Sequence, residues 1–273
     1  NTGIDQLNPP INPALIYLAL FIIGLIIGSF LNVIIYRLPN DLSIVKPRSH
    51  CPSCKEPIQM KDNIPLLSFI LLHGKCRYCP EKIKLRYPFV ETLAGILSVL
   101  LYSIYGFSLL FILLLSLTYM LIAITFIDFD HYIIPNEFVL IFLGLAIVAH
   151  GLNLIPINWK DGLMGAFGFG GALFLLGILG DWIFKKDAMG FGDVKLGFVL
   201  GAFLCIEWSV LTLFLSFITA AFFSIVLLVL NKISRENPIP FGPFISAGAI
   251  ITWLSQTPGG GNYILNWYYT TMF

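Results

Sequence analysis

Eight apolar stretches dominate this chain, over residues 13–36, 88–104, 107–127, 133–150, 162–184, 194–204, 209–230 and 241–254. A helix needs about 20 apolar residues to cross the hydrocarbon core of a bilayer. The second, sixth and eighth stretches are short, so a spanning helix there must extend into its flanks or sit where the bilayer thins. The sixth, which follows Asp193, is the one most easily miscounted. Hydrophobic residues make up 58% of the chain and charged residues 11%, against about 25% charged in a soluble domain. That leaves too little polar surface to coat a soluble globule. The expected fold is an all-α polytopic membrane protein with about eight transmembrane helices in contact with membrane lipid. A net charge of +1 gives no nucleic-acid signal. No basic stretch precedes the first apolar run, so no cleavable signal peptide is expected.

The cations set the orientation. Ten of the sixteen lie between the first two spans: Arg37, Lys46, Arg48, Lys55, Lys61, Lys75, Arg77, Lys82, Lys84 and Arg86. If that segment is cytoplasmic, alternation over eight spans also places Lys185, Lys186, Lys195, Lys232 and Arg235 inside. Only Lys160 is then outside. The reverse orientation violates the positive-inside rule, and an odd span count scatters the cations over both faces. Both termini are therefore expected on the outer face.

Three parts follow: residues 1–37 as the first transmembrane helix, 38–87 as a cytoplasmic cysteine-rich segment, and 88–273 as a membrane-embedded core. The middle segment is too small to build a core unaided. No internal repeat or heptad pattern is visible. Residues 150–161 and 256–262, the latter with Gly259, Gly260 and Gly261 in a row, read as outer-face loops. Trp267, Tyr268 and Tyr269 read as an interfacial aromatic cluster.

Four of the five cysteines form two pairs, Cys51-Pro-Ser-Cys54 and Cys76-Arg-Tyr-Cys79, with 21 residues between them. Two such knuckles can place four thiolates around one zinc ion. A small cytoplasmic segment needs a staple, and disulfides are disfavoured in that compartment. Four free or redox-active thiols are the alternative. Cys205 reads as a small buried apolar residue.

Two aspartates stand out. Asp128 lies in Phe126-Ile-Asp128-Phe-Asp130-His-Tyr-Ile-Ile-Pro135, between spans three and four, and Asp193 lies in Met189-Gly190-Phe-Gly192-Asp193-Val-Lys195, between spans five and six. Both loops fall on the cytoplasmic side of the topology set by the cations. An ionised group where an apolar helix meets a loop is costly unless it faces water or a partner. Gly190 and Gly192 are expected to let the backbone bend there. Two carboxylates that share a site do not both ionise readily. One can take a proton from water while the other polarises a carbonyl, which suits peptide hydrolysis. Asp130, Asp181 and Asp187 read as caps or solvated charges.

At this point the chain resembles the bacterial type IV prepilin leader peptidases. The stretches that carry the likeness begin with Gly28-Ser-Phe-Leu-Asn32-Val-Ile-Ile-Tyr36-Arg37-Leu-Pro39, the two cysteine pairs, and Asp62-Asn-Ile-Pro65-Leu-Leu-Ser68. They continue with Arg86-Tyr-Pro88 to Glu91, the two aspartate segments, and Pro240-Phe-Gly242-Pro243-Phe. The Gly-x-Gly-Asp element alone is shared more widely, by presenilin-like and preflagellin peptidases.

The resemblance implies that Asp128 and Asp193 are the catalytic pair of an aspartyl protease. It implies a prepilin or pseudopilin substrate with a short basic leader, cleaved after glycine at the cytoplasmic edge of an apolar helix. It also implies a bacterial inner-membrane location and a second activity, methylation of the new N-terminus with S-adenosylmethionine. Candidate residues for that cofactor are Asn32, Arg37, Arg77 and Glu91, with Lys84 and Arg86 nearby. Each can equally serve charge placement or helix packing. No dinucleotide-type Gly-x-Gly-x-x-Gly loop is present, so a Rossmann methyltransferase domain is not expected. Two other readings stand beside this one: a transporter or channel that relays protons through intramembrane carboxylates, and a structural zinc-bearing subunit of a pilus machine. The sequence carries no sign of oligomeric state.

Overall fold

The computed structural model describes residues 12–185, 189–231, 239–257 and 261–272. Lys186, Asp187, Lys232, Arg235, Gly259 and Gly260, which figure in the expectations above, lie outside them. The described residues are helical, with isolated bridges and no strand. The helices are α1 (Pro13–Arg37), α2 (Leu67–Leu71), α3 (Arg86–Tyr105), α4 (Leu109–His131) and α5 (Asn136–Gly151). They continue as α6 (Trp159–Phe184), α7 (Phe191–Gly201), α8 (Ile206–Val229), α9 (Gly242–Leu254) and α10 (Tyr263–Met272).

Local chemistry marks the helix ends. Asn12 accepts from Ala14 N–H ahead of Pro13 at the start of α1, Ser108 accepts from Phe111 N–H before α4, and Asn158 accepts from Asp161 N–H before α6. These are N-caps. Gly106, at φ 59°, follows the last turn of α3.

Each of the eight expected spans has its helix, but five helices are long and apolar enough to cross a membrane: α1, α3, α4, α6 and α8. The count of eight is therefore not reached by length. The shorter apolar helices α5 and α9 have 16 and 13 residues. Helix α7 has 11, about 16 Å of rise against a core of about 30 Å.

Helix α4 is the centre of the bundle, with Leu117, Leu121, Ala123, Ile124 and Ile127 fully buried. Helices α1 and α3 pack so closely that a Cβ on Gly24 would stand 2.6 Å from Gly95 Cα, and one on Gly28 2.6 Å from Glu91 Cα. Small residues at a seam let backbones approach in this way. Helix α6 pairs with α7, and α9 lies between α4 and α8. Trp267, Tyr268 and Tyr269 are exposed on α10, and Cys205, half-buried, caps the start of α8.

Candidate active site and cysteine centre

Both aspartates sit at helix ends rather than in loops. The apolar run stops at Ile127, yet α4 continues one turn further, until Tyr132 turns left-handed (φ 57°) with its N–H on Asp128 O. Asp128 thus projects from the last turn of α4. Asp193 projects from the first turn of α7, its N–H on Gly190 O at 3.0 Å. They are 5% and 7% exposed. They line one cleft of about 520 Å³.

Gly242 N–H, at the start of α9, donates to Asp128 Oδ2 at 3.1 Å. A Cβ on Gly242 would stand 2.6 Å from that oxygen. Gly242 therefore gives the carboxylate both a donor and the room to reach it. Gly190 and Gly192 do not supply the bend expected of them. Gly190 has an ordinary extended backbone (φ −67°), and Gly192 lies within α7, where a Cβ would come 3.2 Å from Ile134 Cβ. What Gly192 provides is close approach of α7 to the segment after α4.

The cleft wall also carries Lys195, whose ammonium donates to Asn136 Oδ1 at 3.0 Å and lies 5.0 Å from the Phe191 ring centroid. This ties α7 to the start of α5. Leu38 and Asp41 reach the cleft from the turn after α1, and Glu137 from α5. Sequence reasoning missed the Gly242 donor and this contribution of the first segment. The Pro240–Pro243 motif was visible, but its role needs the tertiary contact. Asp130 is exposed, as expected of a solvated charge, and also forms an ion pair with Arg86, which joins α4 to the start of α3.

The four cysteines converge, as their spacing predicts. All four Sγ atoms lie within 4.8 Å of one another. Cys51 and Cys79 are 3.7 Å apart, and Cys54 and Cys76 3.9 Å. These are too long for disulfides. They match the edge of about 3.8 Å that a tetrahedron with zinc–sulfur bonds of about 2.3 Å requires. Matching turns build the two knuckles, with Cys51 N–H on Glu56 O at 3.0 Å and Cys76 N–H on Glu81 O at 2.9 Å. The Cys54 backbone N–H draws the Cys51 thiol down to about 7, against desolvation. The Glu81 N–H favours the thiolate of Cys79, but desolvation and the neighbouring thiols outweigh it and push that thiol up to about 12. Thiols crowded in this way suit a divalent cation.

The four candidates for the methyl donor divide into two pairs. Arg37 donates to Ser43 O at 2.8 Å and Pro47 O at 2.7 Å. Arg77 holds Asp62 through two bonds, at 2.7 and 2.5 Å, and this guanidinium keeps the Asp62 carboxyl below the usual carboxylate range. Both arginines are spent on shaping the segment. Asn32 and Glu91 share the α1–α3 seam instead. Asn32 Nδ2 donates to Tyr87 O at 3.1 Å, while its buried Oδ1 has no partner. Glu91 Oε2 accepts from Leu66 N–H at 2.8 Å, where Leu66 has a strained φ of 58°.

The helices and the cleft define an integral membrane protein with a buried carboxylate pair at one end of its bundle and a four-thiol centre in the segment between α1 and α3. The bacterial peptidase A24 N-terminal domain matches residues 22–105, and the type IV leader peptidase family matches residues 115–225. A prepilin leader peptidase/N-methyltransferase of Legionella pneumophila is 33% identical over 94% of this chain and 95% of its own length. One from Aeromonas hydrophila is 36% identical over 94% and 95%, and one from Neisseria gonorrhoeae 32% over 91% and 93%. The chain belongs to the prepilin leader peptidase/N-methyltransferase family. No solved structure matches it.

Proposed function

We propose that this protein is a bifunctional prepilin peptidase in which Asp128 and Asp193 hydrolyse the leader peptide bond of a type IV prepilin or pseudopilin. The observation that carries this is the burial of both carboxylates on one cleft, at the ends of two different helices. The ionised member of the pair takes a proton from water, whose oxygen attacks the scissile carbonyl, and the protonated member polarises that carbonyl. The carbon–nitrogen bond then breaks, and the amine leaves with a proton. The two titrations belong to the pair rather than to either residue. Gly242 N–H holds Asp128 in place.

The new N-terminal amine is then methylated. S-adenosylmethionine supplies an electrophilic methyl group, and Asn32 and Glu91 are the residues that would hold it. An orphaned carbonyl oxygen and a buried carboxylate fit a cationic donor. Cys51, Cys54, Cys76 and Cys79 would hold a structural zinc ion in the cytoplasmic segment, 38–87, with the protease core in 88–273. The protein sits in the bacterial inner membrane with its cleft facing the cytoplasm. A transporter leaves the four-thiol centre without a role, and the relatives do not support one.

Co-expression with a prepilin tests the reading. Wild type removes the leader, and Asp128→Ala and Asp193→Ala both leave it attached. Normal trimming by either variant refutes the assignment.

A further inference from the structure

The wall behind Asp128 leads into a second hollow. Phe129 follows Asp128 in α4, Pro243 and Phe244 follow Gly242 in α9, and all three line a groove of about 450 Å³ completed by α8. Its surface is aromatic. Ring centroids of Phe129 and Phe223 lie 5.9 Å apart, Phe223 and Phe244 5.5 Å, and Phe129 and Phe244 6.4 Å. Thr125 and Thr219 also line it, but their hydroxyls donate back to Leu121 O and Leu215 O of their own helices, each at 2.8 Å. The groove therefore offers no free polar group. Its outer lip is exposed, with Phe222 71% and Ile218 46% accessible.

The cleft and the groove are thus linked through the chain at two points, Asp128 next to Phe129 in α4 and its donor Gly242 next to Pro243 and Phe244 in α9. A peptide that is polar on one side of its scissile bond and apolar on the other can lie across both. We propose that this groove seats the apolar transmembrane segment of the peptide substrate, immediately beyond the scissile bond. The proposal rests on reading the cleft as a peptidase site. In a bilayer the lipid tails are as apolar as leucine, so burial alone gives a substrate helix no preference for one protein face. Close packing into a concave surface does, and a hollow walled by three rings provides it for branched or aromatic side chains. Much of the remaining lipid-facing surface is equally apolar; this groove differs in being lined by the chain neighbours of Asp128 and Gly242.

Two substrates separate the groove from the chemistry. One carries the leader, the cleavage point and an apolar segment of about 20 residues. The other has the same leader and cleavage point but ends a few residues later and is water-soluble. Full-length protein in phosphatidylethanolamine–phosphatidylglycerol vesicles is assayed as wild type, as Ala247→Phe, which fills the groove, and as Ile218→Trp, which narrows its lip from the exposed side. Both variants are expected to lose about tenfold in kcat/KM on the long substrate and to cleave the short one within about twofold of wild type. Equal loss on both substrates, or no loss on either, overturns the proposal. Photo-crosslinking from benzoylphenylalanine at Phe222 is expected to capture the long substrate; adducts with lipid alone in its presence also overturn it. A wild-type protein that cleaves neither substrate refutes the peptidase reading itself, and the groove assignment with it.

Discussion

At the scale of single residues, the position of Asp128 depends on a residue 114 positions away in the chain. Gly242 has no left-handed backbone to demand glycine; what demands it is the 2.6 Å between its missing Cβ and Asp128 Oδ2. An alanine there pushes the carboxylate aside and lengthens its bond to the amide. A displacement of about 1 Å at a catalytic group costs on the order of 10²-fold in rate. Gly242→Ala is therefore expected to lower kcat for leader cleavage by roughly 10²-fold. Unaltered helicity by circular dichroism would show that the fold persists. A kcat within a few-fold of wild type would mean that Asp128 is held by other means.

Among elements, the cysteine segment and the bundle are separable in their chemistry but share a seam. The strained turn at Leu66 rests on Glu91 of α3, and Asn32 of α1 bonds the backbone of Tyr87 in α3. The cleft, by contrast, is lined mainly by the end of α4 and the segment after it, the start of α5 and the start of α7, with Leu38, Pro39 and Asp41 at its edge. Loss of the metal should therefore loosen residues 38–87 and disturb Asn32 and Glu91 while leaving the carboxylate pair assembled. Chelation, or Cys54→Ser, is expected to reduce methylation of mature pilin by an order of magnitude or more, with cleavage falling less. Mass spectrometry of the pilin N-terminus reads both steps at once. Equal loss of the two would tie the segment to proteolysis.

The same division explains what could be read in advance. Helix limits followed the apolar runs within a few residues, because Ser108 and Asn158 cap α4 and α6 where those runs begin. The four thiols could be paired from spacing because each knuckle is local. Hydropathy ended the third run at Ile127, but hydrogen bonding carried α4 on to His131, so Asp128 entered the helix. The cap that stops it, a left-handed Tyr132, has no signature of the kind glycine leaves. The meeting of α4, α7 and α9 at Asp128, Asp193 and Gly242, and the pairing of Asp130 with Arg86, are tertiary facts with no local sequence mark.

For the whole molecule, topology turns on α7. By length it does not cross a full bilayer, and if it fails to cross, everything after it changes side. One contact argues that it crosses. Helix α5 starts at the cleft with Asn136 and ends beside His150; α7 starts at the cleft with Gly190 and runs to Ala202, whose carbonyl is 2.8 Å from His150 Nε2. The two helices thus cover the same depth, the shorter one completed by the turn through Cys205. A locally thin bilayer accommodates such a pair at modest cost. If α7 does cross, the orientation expected from the cations extends to the end of α8. Cysteines introduced one at a time in a background in which Cys205 is replaced by Ala, with labelling read above that of the four remaining thiols, are expected to divide accordingly. With an impermeant maleimide, Lys160→Cys reacts in intact spheroplasts, whereas Glu137→Cys, beside the cleft, and Asn231→Cys, after α8, react only once the membrane is opened. Labelling of Asn231→Cys in intact spheroplasts while Glu137→Cys stays protected would show that α7 turns back within the membrane. The Asp128–Asp193 cleft would keep its side, and every connection after α7 would change face.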